Sequence, residues 1–165
     1  MRAFAHTKAR VLLAFVVALA GIGLASLNAS AATVAINLCA VTGTATPTGS
    51  VTVPIWGFAD GGPGSSPVCT PGTGTLPGPR LVVNEGDVVT VNVTNALPAG
   101  HPLTFEIPGI TFDPGPVAAA SGATVTRTFT ASAPGTYLYS SGGDAGRQQA
   151  LGMAGALLVR SGTAG

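Results

Sequence analysis

Few side chains of this sequence have the chemistry for a reaction centre, and they are widely spaced. Past residue 31 there are two cysteines, Cys39 and Cys69, and one histidine, His101. Nucleophilic catalysis needs a nucleophile, a base and an acid held together. Ser140, His101 and Asp144 supply the types, but no Gly-x-Ser-x-Gly or comparable frame surrounds the serine. A metal centre needs several imidazole, thiolate or carboxylate ligands. His101 has no second histidine to work with, and its setting between Gly100 and Pro102 reads as a solvent-facing turn. Gly61-Gly62-Pro63-Gly64 is broken by proline and lacks the lysine of a phosphate loop. Met153 reads as core filling. Tyr137 and Tyr139, two apart, read as packing residues on one strand face, and Trp56 as a core or inter-sheet anchor. Glu85 and Asp87 flank Gly86 as turn residues, and Glu106 is a polar residue at a strand end.

The elements that must position these residues are strands. Period-two patterns recur, and no helical period is sustained. Val34, Ile36 and Leu38 alternate within 33–44, and Val53 and Ile55 within 51–58. Leu81-Val82-Val83 runs into the turn Asn84-Glu85-Gly86-Asp87. Residues 87–95 follow, with Val89, Val91 and Val93 on one face. Further strands are expected at 103–107, at 123–130 with Val125 and Phe129 on one side, at 136–140 and at 154–160. Residues 61–79 and 113–122 read as loops, and 143–152 has room for one helical turn. Eight short strands joined by Gly/Pro turns predict an all-β, Greek-key sandwich or barrel.

The first 31 residues read as a secretion signal. Arg2, Lys8 and Arg10 precede an apolar run from Val11 to Leu24, and Ala29-Ser30-Ala31 offers small residues at a cleavage site. The run is shorter than the ~20 residues of a bilayer span, which makes a retained anchor the second choice. The expected compartment is secreted or periplasmic, in any case extracytoplasmic. One domain is expected over residues 32–160, with 161–165 a tail or a severed linker. In an oxidising compartment Cys39 and Cys69 are expected to form a disulfide; a thiolate ligand is the alternative, without a histidine nearby to support it. Past residue 31 four arginines stand against six acids, a balance of −2. Such a balance leaves no basic patch, so neither nucleic acid nor an anionic membrane is an expected partner.

Three segments, in order, resemble the plastocyanin-like (cupredoxin) domain at the N-terminus of multicopper oxidases. Pro77-Gly78-Pro79 through Glu85-Gly86-Asp87 to Asn95-Ala96-Leu97-Pro98 is similar to that family's PGP, EGD and N-x-LP run. Pro134-Gly135-Thr136-Tyr137-Leu138-Tyr139 is similar to its PGT strand, and Gly152-Met153-Ala154-Gly155-Ala156-Leu157-Leu158-Val159 to its closing strand. The resemblance covers about residues 51–160 and implies a cupredoxin-like sandwich. It also implies copper ligands, in an H-W-H motif after N-x-LP and an H-S-H motif after the Tyr-x-Tyr strand. Thr104-Phe105-Glu106 and Ser140-Ser141-Gly142 stand there instead. Thr104, Glu106, Ser140 and Gly142 therefore replace four histidines, and hydroxyls, one carboxylate and a hydrogen are poor substitutes for imidazole at copper. A blue-copper site needs a thiolate and two histidines; Met153 stands where an axial ligand would, without them.

The expectation is a copper-free scaffold or interaction module, with no catalytic residues, no metal site and no cofactor. His101 and Met153 are the weak candidate ligands. Its partners would be further cupredoxin domains of the same or another chain. The second expectation is a copper-binding oxidoreductase part whose ligands come from elsewhere. The third is a surface assembly domain, marked by an exposed strand edge or apolar patch. If the replaced ligands are rightly aligned, they must meet at one end of the sandwich.

Overall fold

A computed structural model describes residues 31–162. The expected signal segment, but for Ala31, lies outside them.

Among the described residues the chain forms nine strands. They are β1 (Thr33–Ala45), β2 (Val53–Asp60), β3 (Leu81–Asn84), β4 (Val88–Asn95), β5 (Leu103–Thr104), β6 (Ala118–Ala119), β7 (Thr124–Thr130), β8 (Gly135–Ser140) and β9 (Ala154–Arg160). One sheet has the order β2-β1-β4-β7, the other β3-β9-β8, and β5 pairs with β6. Neighbours are antiparallel except for β1 with β4 and β3 with β9. The result is a cupredoxin-like β-sandwich.

Val89, Val91 and Val93 are fully buried, as their spacing requires, and they share one core with Leu38, Phe58, Leu103, Phe105, Phe129, Tyr139, Met153 and Leu157. Phe58, Phe105 and Tyr139 meet edge-on or tilted, with centroids 5.3–6.0 Å apart. Gly155 on β9 lets the Tyr139 ring come close to the backbone, since a Cβ there would fall 2.2 Å from the ring. The Tyr139 hydroxyl donates to the Pro79 carbonyl at 2.6 Å.

Asp87 closes the turn before β4. Its carboxylate accepts from the N–H of Asn84 at 2.8 Å and of Ala32 at 3.0 Å, while Gly86 takes the positive φ the turn needs. Cys39 on β1 is bonded to Cys69 in the long loop. Cys39, Val41 and Ala59 form a small second cluster, outside the main core.

Two elements differ from expectation. Residues 113–122, read as loop, contain β6, which is too short to carry a period. The 103–107 strand is regular only at β5, and the chain continues through a bridge between Glu106 and Ser140. The helical turn is present, as a 3-10 turn at Asp144–Gly146 followed by α1 (Arg147–Ala150).

Candidate functional site

Thr104, Glu106, Ser140 and Gly142, the positions expected to replace ligands, lie close together. Glu106 and Ser140 form an antiparallel bridge, their main chains exchanging bonds of 3.0 and 2.9 Å. The Thr104 N–H donates to the Ser141 Oγ at 3.2 Å. Gly142 follows, and a Cβ there would lie 2.6 Å from Glu106 Oε1, so the carboxylate occupies the space a side chain would take.

The two glutamines of α1 engage the serines. Gln149 Nε2 donates to Ser140 Oγ at 2.9 Å. Gln148 is fully buried; its Oε1 accepts from the Ser141 hydroxyl and its Nε2 donates to the Pro102 carbonyl at 2.9 Å. The Gln148 amide completes a polar network that burial would otherwise leave costly. Both serine hydroxyls are thus committed to amides and neither is bonded to an imidazole, so the arrangement is not that of an activated nucleophile.

The donor set at this end is one carboxylate, two hydroxyls and a hydrogen. It does not fit a copper centre, which calls on imidazole and thiolate. Among the described residues no three His, Cys, Asp or Glu side chains are gathered as a metal site. Met153 packs in the core with its side chain fully buried.

His101 departs from the expected solvent-facing turn. Its side chain is 23% exposed and its Nδ1 lies 2.8 Å from Asp144 Oδ2. Its ring meets Trp56 edge-on at 4.6 Å, and Arg147 lies 5.1 Å over the same indole and 3.9 Å from Asp144. The turn was correctly placed; what packs onto it comes from 43 residues away and from β2. Trp56 anchors as expected, half-buried against the core, and its ring also meets His101 and Arg147 at the surface.

Arg127 was not anticipated. On β7 it has the same parity as Val125 and Phe129, both buried, and that alternation was the available signal. It is 4% exposed. Its Nε donates to the Pro114 carbonyl at 3.3 Å, its Nη1 to the Phe105 carbonyl, and its guanidinium lies 4.1 Å over the Phe112 ring. Desolvation lowers its pKa and the nearby Glu106 charge partly restores it. Burial pushes the Tyr139 phenol upward, so this hydroxyl stays a donor to Pro79.

A family model described as multicopper oxidase matches residues 72–164, more than half of the chain. The chain belongs to the multicopper oxidase family. Solved structures share the fold of this multicopper oxidase domain. A multi-copper oxidase from Pseudomonas Thermotolerans superposes with a TM-score of 0.66 at 22% identity, over 82% of this chain and 31% of that one. A copper nitrite reductase from Nitrosomonas europaea gives 0.64 at 26%, over 78% and 42%. A blue copper oxidase from the same organism gives 0.64 at 25%, over 80% and 40%. The chain thus spans less than half of each of these proteins. No curated protein matches it.

Proposed function

We propose that this chain is an extracytoplasmic, plastocyanin-like domain of a multicopper-oxidase-like protein, with a degenerate copper site, that serves as a scaffold or interaction module. The observation that carries the reading is the chemistry of the residues gathered by the Glu106–Ser140 bridge: Thr104, Glu106, Ser140 and Gly142 contribute no imidazole. The α1 glutamines support it further. Gln149 occupies the Ser140 hydroxyl and Glu106 the space over Gly142. A site engaged in internal hydrogen bonds is organised for packing, and its partners would be further cupredoxin domains. Secretion rests on the N-terminal residue pattern, and the disulfide agrees with an oxidising compartment. Among the described residues no helix is long and apolar enough to cross a membrane.

The second reading is a part of a copper oxidoreductase whose ligands come from other domains or partners. What favours it is coverage: the chain spans 31–42% of the copper proteins it superposes on.

Thermal unfolding with and without Cu(II) tests the first reading. An ion bound only by the native state at a hundred times its Kd adds about 2.7 kcal/mol of stability. The module reading predicts the same melting temperature in excess Cu(II) as in chelator. A saturable upward shift of several degrees would contradict it.

A further inference from the structure

Arg127 forms part of the wall of an open cleft of about 500 Å³ beneath the 105–116 segment. The other walls are mostly apolar: Phe105, Ile107, Ile110, Phe112 and Pro116. The guanidinium is held in a fixed orientation. Phe112 supports its face, and the Phe105 and Pro114 carbonyls take one N–H each from Nη1 and Nε. Among the described residues no acceptor bonds Nη2, and no buried side-chain nitrogen lacks a partner. Nη2 therefore keeps access to solvent, and the cleft is the opening that Arg127 lines. No carboxylate of the described residues comes within salt-bridge distance of it; Glu106 acts on it only as a field.

A buried cation without a contacting counter-ion is costly, and the unbonded Nη2 is a charge-assisted donor for a carboxylate oxygen. An apolar cleft with one convergent charge is also the usual form of a small-molecule site. We propose that this cleft binds a small organic carboxylate, its charged end on Arg127 and its aromatic or aliphatic body on Ile107, Ile110 and Phe112. Glu106, at the cleft rim with its carboxylate against Gly142, opposes the ligand charge and keeps the affinity modest.

The test is an NMR titration of the purified protein with benzoate, and with benzyl alcohol as the neutral counterpart. Saturable shifts are expected at the Arg127 Nε–H and at the amides of Ile110 and Thr111, with benzyl alcohol at least about tenfold weaker. Gly115 lines the cleft and a Cβ there meets nothing within 4 Å, so the backbone has room for a side chain and Gly115→Trp adds bulk at the cleft wall. That variant is expected to weaken benzoate by about tenfold or more. Glu106→Gln is expected to tighten it. No saturable shift at the cleft, equal binding of benzyl alcohol, or unchanged affinity in Gly115→Trp would each overturn the proposal.

Discussion

Glu106 and Ser140 are joined through both main-chain hydrogen bonds, N–H to carbonyl in each direction, at 3.0 and 2.9 Å. The two residues are 34 positions apart, yet the bridge makes them neighbours and carries Thr104 and Gly142 with them. This cluster is thus assembled by backbone pairing and closed by the glutamines of α1. The consequences are measurable.

Gln148 holds the closure together. Removing its amide leaves the Ser141 O–H without its acceptor and the Pro102 carbonyl without its side-chain donor, while the Ser141 oxygen keeps the Thr104 and Gly143 N–H groups. Gln148→Ala is expected to cost about 2 kcal/mol, in the range for stranded buried polar groups. Gln149→Ala removes one bond from a residue that is itself exposed, and is expected to cost under about 1 kcal/mol. Urea denaturation of the two variants checks the order; equal losses would mean that the buried network does not hold the loop.

The disulfide closes a loop with a sequence separation of 30 between Cys39 and Cys69. A loop of that length restricts the unfolded chain by about 3–4 kcal/mol. Replacing both cysteines by serine is expected to lose most of that stability in denaturant titration. A loss under about 1 kcal/mol would contradict it.

Asp87 is held below the usual carboxylate range by the backbone N–H groups of Asn84 and Ala32. Its folded pKa is depressed. Its contribution is therefore complete above the unfolded value of about 3.9 and is lost as pH falls through the lower folded value. Denaturation midpoints are expected to drop below about pH 4, and Asp87→Asn to flatten that part of the profile. An unchanged slope in the variant would show that other carboxylates are responsible.

Gly155→Ala is expected to destabilise by about 1–3 kcal/mol or more, because the new methyl meets the Tyr139 ring, fixed in the core by its bond to Pro79. Tyr139→Phe alone is expected to cost about 1 kcal/mol, the ordinary net worth of the lost hydrogen bond. Thermal unfolding of both, with Gly115→Ala as a control in open space, tests the packing.

Much of the fold was legible because it is local. The alternation at Val89, Val91 and Val93 and the turn at Glu85-Gly86-Asp87 each state their structure within a few residues. The parallel pairings of β1 with β4 and β3 with β9 were not legible, since they join residues far apart in sequence. β6 has two residues, fewer than any period can mark. The candidate site was legible as an alignment of Thr104, Glu106, Ser140 and Gly142, and their convergence follows that alignment. Its lining was not: Gln148, Gln149 and Asp144 reach it from a segment read only as one helical turn, and Asp144 draws His101 out of the solvent-facing role its turn suggested. Arg127 was within reach, through its parity with Val125 and Phe129, although a cation on an inward face runs against ordinary expectation.

On the proposed function, Thr104, Glu106, Ser140 and Gly142 do not hold copper. The most direct test is the metal content of the purified protein after incubation with Cu(II) and desalting, read together with visible absorption and EPR spectra. Less than about 0.1 copper per chain and no band at ~600 nm are expected, because the residues at the site lack the imidazoles and thiolate copper requires. Near-stoichiometric copper with a defined EPR signal would contradict it and put the oxidoreductase reading first.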